Sequence, residues 1–191
     1  MGLLQVDTEL TTRLFHWVSA HPALQQVFLT TASAFVYVLP LALLWLFFRT
    51  KTDRLNSIKV FLAAILSWQV LTNAVGGWLY GAYGFRDRPF ALDGYQELFF
   101  ERPQKAFPSD HAGVLTAVTL AFFAYRYPKL GWLFLVGGIV TSFGRVAVGF
   151  HYVGDIIGGI AIGGIAYGII RLLDRPLDRI LEKIFHGTNP S

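Results

Sequence analysis

The stretch "GRVAVGFHYVGDIIGGIAIGGIAYGIIRLL", Gly144 to Leu173, decides how this chain is read. From Tyr152 to Leu173 the only charges are Asp155 and Arg171, one near each end. An apolar run of about 20 residues matches the thickness of a bilayer. Just before it stand Arg145 and His151, so three ionisable groups crowd one edge of a span. Such groups are costly near lipid and mark functional sites.

Working outward, the rest of the chain fits the same setting. It has 191 residues, of which 54% are hydrophobic and only 15% charged; mean hydropathy is +0.49. A soluble domain carries about 25% charged residues. The net charge of +4 forms no long basic run, so nucleic acid is not expected as a partner. The absence of Cys excludes disulfides, thiolate catalysis and Cys-ligated zinc. The first twenty residues lack a basic start followed by an apolar run, so no cleaved signal peptide is expected.

The expected architecture is an all-α integral membrane domain over 1–191, a bundle of about five transmembrane helices. The spans read as 27–48, 58–83, 111–127, 130–149 and 152–173. Pro40 is expected to kink the first. Residues 1–22 mix apolar and charged side chains, with Leu10, Leu14, Trp17 and Val18 at helical spacing. They read as an amphipathic interfacial helix. Residues 174–191 read as a charged cytoplasmic tail. Gly154/Gly158, Gly159/Gly163 and Gly164/Gly168 are each four apart, a spacing for close helix packing within the bundle. Trp78, Tyr80, Tyr83 and Phe85 read as an interfacial aromatic belt.

Basic residues cluster in 49–59, in the turn 126–129 and in the tail. Five spans put all three on one side, expected to be the cytoplasm. The loop 84–110 and the 144–155 connection then share the outer face. They bring together Arg88, Ser109, His111, Arg145, His151 and Asp155. His151 and Asp155, four apart at a helix start, share a face. The carboxylate can hold one imidazole nitrogen as N–H and leave the other free to attack. Pro108-Ser109-Asp110 reads as a helix start, whose N–H groups favour an anion. Ser109 and Asp110 are candidate caps as well as candidate ligands. Arg88 and Arg145 supply guanidinium donors suited to phosphate oxygens. His16, His21 and His186 read as interface or tail residues.

Three strings carry a resemblance: Arg88-Pro89, Pro108-Ser109-Asp110-His111, and Gly144-Arg145 with His151 and Asp155. They resemble the three motifs of the type 2 phosphatidic acid phosphatase (PAP2) superfamily, across roughly 81–155. "DRPF" and "FPSDH" are similar to the small bacterial undecaprenyl-diphosphate phosphatases within it. Three positions depart from the pattern. Gly81 stands where the family has Lys, Asp110 where it has Gly, and Gly144 where it has Ser. Arg86, Arg102 and Lys105 are the candidates to replace the absent Lys.

The resemblance implies an enzyme without metal or cofactor. His151 is the nucleophile, Asp155 orients it, and His111 is the acid and then the base. Arg88, Ser109, Asp110 and Arg145 form the phosphate site. The implied substrate is undecaprenyl diphosphate, with phosphatidylglycerophosphate or phosphatidate as alternatives. The implied setting is the bacterial inner membrane, with the site facing the periplasm. The lipid phosphate is the expected partner, and no obligatory protein partner is inferred. A metal hydrolase using His111, His151, Asp155 and Asp110 is disfavoured by the two arginines, which would repel a cation. A small transporter or a noncatalytic lipid-binding protein is the rival of another class; the polar residues gather at one face instead of lining the midplane.

Overall fold

The computed structural model describes residues 2–84, 86–92 and 106–186. It is built from helices: α1 (Leu3–Ser19), α2 (Pro22–Ala34), α3 (Val38–Phe47), α4 (Lys51–Ile65), α5 (Asn73–Tyr83), α6 (Pro89–Leu92), α7 (Asp110–Ala124), α8 (Pro128–Ala147), α9 (Val153–Leu172) and α10 (Asp174–His186).

A 3₁₀ turn at Phe35–Tyr37 joins α2 to α3, so one apolar rod of 26 residues runs from Pro22 to Phe47. The irregularity falls just before Pro40, whose missing N–H breaks the ladder there. A π-helical stretch, Leu66–Thr72, joins α4 to α5 into a rod of 33 residues. At 1.5 Å per residue that rod is about 50 Å long, well beyond the ~30 Å hydrocarbon layer. These two rods, α8 and α9 are each long and apolar enough to cross a membrane. The protein is an all-α, multi-pass membrane protein.

At 15 residues α7 is the short apolar helix. It runs through the middle of the bundle, against α4, α8, α9 and the π stretch. Nine of its residues are buried, so protein more than lipid surrounds it. Small residues make this possible. A Cβ on Gly159 would lie 2.5 Å from Ser109 O and 2.8 Å from Ala112 Cβ, and one on Gly113 would lie 2.7 Å from Ser67 Oγ. A Cβ on Gly163 would collide with Gly113 O. Gly164 and Gly168 face open space, so only part of the glycine stripe serves packing.

The helices reach beyond the expected spans. The second rod starts at Lys51, ahead of the span expected from 58, and Thr50 caps it by accepting a hydrogen bond from Asp53 N at 3.1 Å. The charged tail is helical from Asp174 to His186. Lys59 is a buried residue, 2.9 Å from Asp178 and 3.4 Å from Asp174, and not a loop charge. In α1 the buried residues are Thr11, Phe15 and Val18, while Leu10 and Trp17 of the expected apolar stripe are exposed. The inward face is set by a pocket in the bundle that receives Phe15, beside Leu29, Ala32, Phe90, Val148 and Phe150. Trp78, Tyr80 and Tyr83 are exposed at the end of α5, as a belt requires; Phe85 lies outside the described residues.

Short connections at 48–50, 125–127 and 148–152 alternate the ends of the bundle. The end of α5, the start of α7, the end of α8 and the start of α9 therefore share one end.

Candidate active site

At that shared end, α8 stops in a tight turn. Gly149 adopts φ +74°, and a Cβ there would approach Phe15 and Phe90 N within about 3 Å. Phe150 N and His151 N both donate to Arg145 O, at 2.9 and 3.3 Å. The turn thus folds His151 back over the last turn of α8, beside the Arg145 side chain. The Arg88 segment is stitched to the same turn, with Phe90 N donating to Gly149 O at 3.1 Å and Arg88 Nη1 to Phe150 O at 2.6 Å.

His151 is buried, 2% exposed. Its Nε2 lies 3.3 Å from Arg145 Nη2 and 3.5 Å from Arg88 Nη1. A guanidinium can only donate, so Nε2 is the acceptor and the ring proton belongs on Nδ1. Nδ1 faces Asp155 Oδ2 at 3.4 Å. Asp155 is fully buried in the first turn of α9. Its Oδ2 accepts from Tyr152 N at 2.8 Å, which fixes the carboxylate beside the imidazole. Burial, the Arg145 and Arg88 charges and His111 together push the His151 pKa well below its ordinary value, against a smaller opposing pull from the Ala106 backbone. The imidazole is therefore neutral at neutral pH, with its free nitrogen pointing at two cations.

The start of α7 joins this group through the backbone. Ser109 N donates to Asp155 O at 3.0 Å, and the buried Ser109 Oγ caps α7 by accepting from Ala112 N at 3.5 Å. Asp110 and His111 follow in the first turn, both half-buried. His111 lies within electrostatic reach of His151. Arg145 is braced from the other side, with Nη1 donating to Ala32 O of α2 at 3.2 Å.

The structure thus gathers Arg88, Ser109, His111, Arg145, His151 and Asp155 from separate parts of the chain. Arg86 stands beside this group, within electrostatic reach of Asp155. Arg86 pairs with Asp7 at 3.0 Å and lies over the Tyr152 ring at 3.3 Å. Gly81 is exposed, with open space where a side chain would extend. Arg102 and Lys105 lie outside the described residues. No group of His, Asp and Glu among the described residues is arranged to hold a metal ion. Asp7, which no motif singles out, touches the first turn of α9. Its partner Gly154 lies 147 positions away, and no local spacing signals that contact.

The sequence is similar to those of known proteins. The chain is 29% identical over 182 residues to undecaprenyl-diphosphatase BcrC of Bacillus subtilis (strain 168), covering 92% of this chain and 90% of that protein. It is 31% identical over 134 residues to the putative undecaprenyl-diphosphatase YbjG of Escherichia coli (strain K12), covering 69% and 64%. No solved structure matches. The sequence profile of the PAP2 superfamily matches residues 61–176, a span that holds each of the gathered residues. The chain belongs to the PAP2 superfamily.

Proposed function

We propose that this protein is a membrane lipid diphosphatase that converts undecaprenyl diphosphate to undecaprenyl phosphate and inorganic phosphate through a phosphohistidine. One observation carries the reading. His151 presents a neutral Nε2 to Arg88 and Arg145 while Asp155 stands behind Nδ1. A terminal phosphate placed between the guanidinium groups and Nε2 meets donors for its oxygens and a lone pair for its phosphorus.

The transfer follows from that placement. Nε2 attacks the terminal phosphorus, and the bond to the bridging oxygen breaks with its electron pair leaving on that oxygen. His111 supplies a proton to the departing lipid phosphate. The ring on His151 is then cationic, and the Asp155 carboxylate stabilises it. His111, now a base, takes a proton from water as that water attacks the phosphohistidine, which releases phosphate and restores Nε2. Phosphoryl transfer needs positioning and charge stabilisation more than covalent help. Arg88 and Arg145 provide these, braced by carbonyls of Phe150 and Ala32.

The site belongs at the outer leaflet of the bacterial plasma membrane. What supports this is the opposite end, where Arg49, Lys51, Arg54, Arg126, Lys129, Arg171, Arg175, Arg179 and Lys183 gather. The five apolar helical segments cross the membrane, and α1 lies along the outer interface. The substrate rests on the two diphosphatase relatives. Purified protein assayed against undecaprenyl diphosphate, phosphatidylglycerophosphate and phosphatidate, with and without EDTA, tests it. Phosphate release from the first at an unchanged rate in chelator is expected. Turnover of another lipid with undecaprenyl diphosphate untouched would overturn the substrate assignment.

A further inference from the structure

The N-terminal helix reaches the same turn that carries the reacting groups. Asp7 Oδ1 accepts from Gly154 N at 3.1 Å, and Asp7 Oδ2 accepts from Arg86 Nη1 at 3.0 Å. Arg86 Nη2 donates to Thr8 Oγ1 at 3.1 Å. The Arg86 guanidinium covers the ring of Tyr152, whose N–H bonds Asp155 and whose hydroxyl donates to Asp87 O at 3.1 Å. Gly154 N–H is one of the donors at the start of α9 that has no partner within the helix. Two carboxylates therefore hold this first turn, Asp155 from within the helix and Asp7 from α1.

The fit is close. A Cβ on Gly154 would lie 3.0 Å from Asp7 Oδ2. The Asp7 side chain is only 15% exposed, and its contact, Gly154, is the residue next to Asp155, whose carboxylate lies beside His151. A few residues along α1, Phe15 packs on Phe150 and Val148 and blocks the Gly149 turn from the other side. The helix thus grips both flanks of the segment that holds His151.

We propose that Asp7 is a positioning residue for phosphoryl transfer: by bonding Gly154 N–H and Arg86 it fixes the start of α9, and so holds Asp155 against His151 Nδ1. The inference rests on the phosphohistidine reading above. The hydrogen bonds of Asp7 go to Gly154 and Arg86, while Arg88 and Arg145 are braced by the carbonyls of Phe150 and Ala32. Removing Asp7 therefore lowers the rate of transfer more than binding.

The test uses the purified full-length protein in detergent, with farnesyl diphosphate as a short-chain probe and released phosphate as the readout. Asp7→Ala is expected to lower kcat by about tenfold to a hundredfold, the cost of a small misplacement of reacting groups, with KM within about threefold of the wild type. Asp7→Asn keeps an acceptor for Gly154 N–H and is expected to recover kcat to within about threefold. A thermal unfolding curve accompanies each variant. Wild-type kcat in folded Asp7→Ala would overturn the proposal. So would equal losses in Asp7→Ala and Asp7→Asn that track the loss of folded protein, since that pattern marks an anchor only. If Asp7→Ala does not fold, Gly154→Ala decides, because its Cβ crowds Asp7 without removing it. A drop in kcat at unchanged KM supports the proposal, and unchanged kcat overturns it. Each variant is scored against the wild-type rate, so a wild type that releases no phosphate sinks the phosphatase reading and this inference with it. An active wild type with an indifferent Asp7 sinks this inference alone.

Discussion

The two ends of the bundle use the same kinds of charged residue for opposite purposes. At the end away from the site, cations meet carboxylates. Lys59 lies 2.9 Å from Asp178 and 3.4 Å from Asp174, Arg171 pairs with Asp174, and Tyr125 donates to Asp174 at 2.6 Å. Burial opposes the Asp174 charge, but the Tyr125 hydrogen bond, Lys59 and Arg171 outweigh it and hold its pKa below the ordinary value. At the site end, Arg88 and Arg145 both reach a neutral imidazole nitrogen and are braced by backbone carbonyls. A guanidinium that meets a carboxylate is a clasp. Two that converge on an acceptor nitrogen make a place for an anion. What separates a structural cluster from a reactive one is which partner the fold supplies to the cation.

The contrast can be broken most severely at His151. His151→Ala is expected to lower phosphate release by at least about a thousandfold, since it removes the proposed attacking atom; steady-state assay of folded protein measures it. Arg145→Lys comes next, at about tenfold to a hundredfold in kcat/KM, because an ammonium cannot serve the nitrogen and the Ala32 carbonyl with one planar fork. At the clasp end the effect moves from rate to stability. Lys59→Met strands carboxylates that are only partly exposed, and is expected to cost about 1–3 kcal/mol in unfolding while kcat stays within about twofold. A large kcat loss in that variant would erase the distinction between the ends.

The smallest effect sharpens the comparison through pH. In the proposed mechanism the nucleophile is neutral His151, so activity is expected to fall as pH drops through its pKa. Burial and the two arginines lower that pKa, so the acid limb of kcat/KM lies below the ordinary histidine value of about 6.5. Arg145→Gln removes one lowering charge, so the His151 pKa rises and the acid limb moves to higher pH. An acid limb that moves the other way would contradict the assigned role.

Much of this was legible in the sequence, for definable reasons. Apolar runs announce spans because lipid forbids exposed charge, and the His151–Asp155 spacing pointed to their proximity, although His151 lies in the turn before the Tyr152 cap and not on the face of α9. Three things were not legible. Lys59 looks like a loop cation by position, and only the docking of α10 reveals its buried partners. The inward face of α1 depends on a pocket built from α2, α6 and the turn after α8, so the spacing of its apolar residues did not single out Phe15 as the side chain received there. Asp7 and Gly154 meet because α1 folds over the site end, a contact with no local signature. The glycines stand between these cases. Their spacing foretold close packing, but only the fold separates Gly159 and Gly163, pressed onto α7, from Gly164 and Gly168, where a Cβ would meet open space.

The stereochemical course at the terminal phosphorus tests the phosphohistidine most directly. A polyprenyl diphosphate carrying a chiral, isotopically labelled terminal thiophosphate would be hydrolysed in labelled water, and the configuration of the released thiophosphate determined. Two successive in-line displacements, first by His151 Nε2 and then by water, give net retention. Net inversion would mean that water attacks the substrate in one step, and the covalent role of His151 would be wrong.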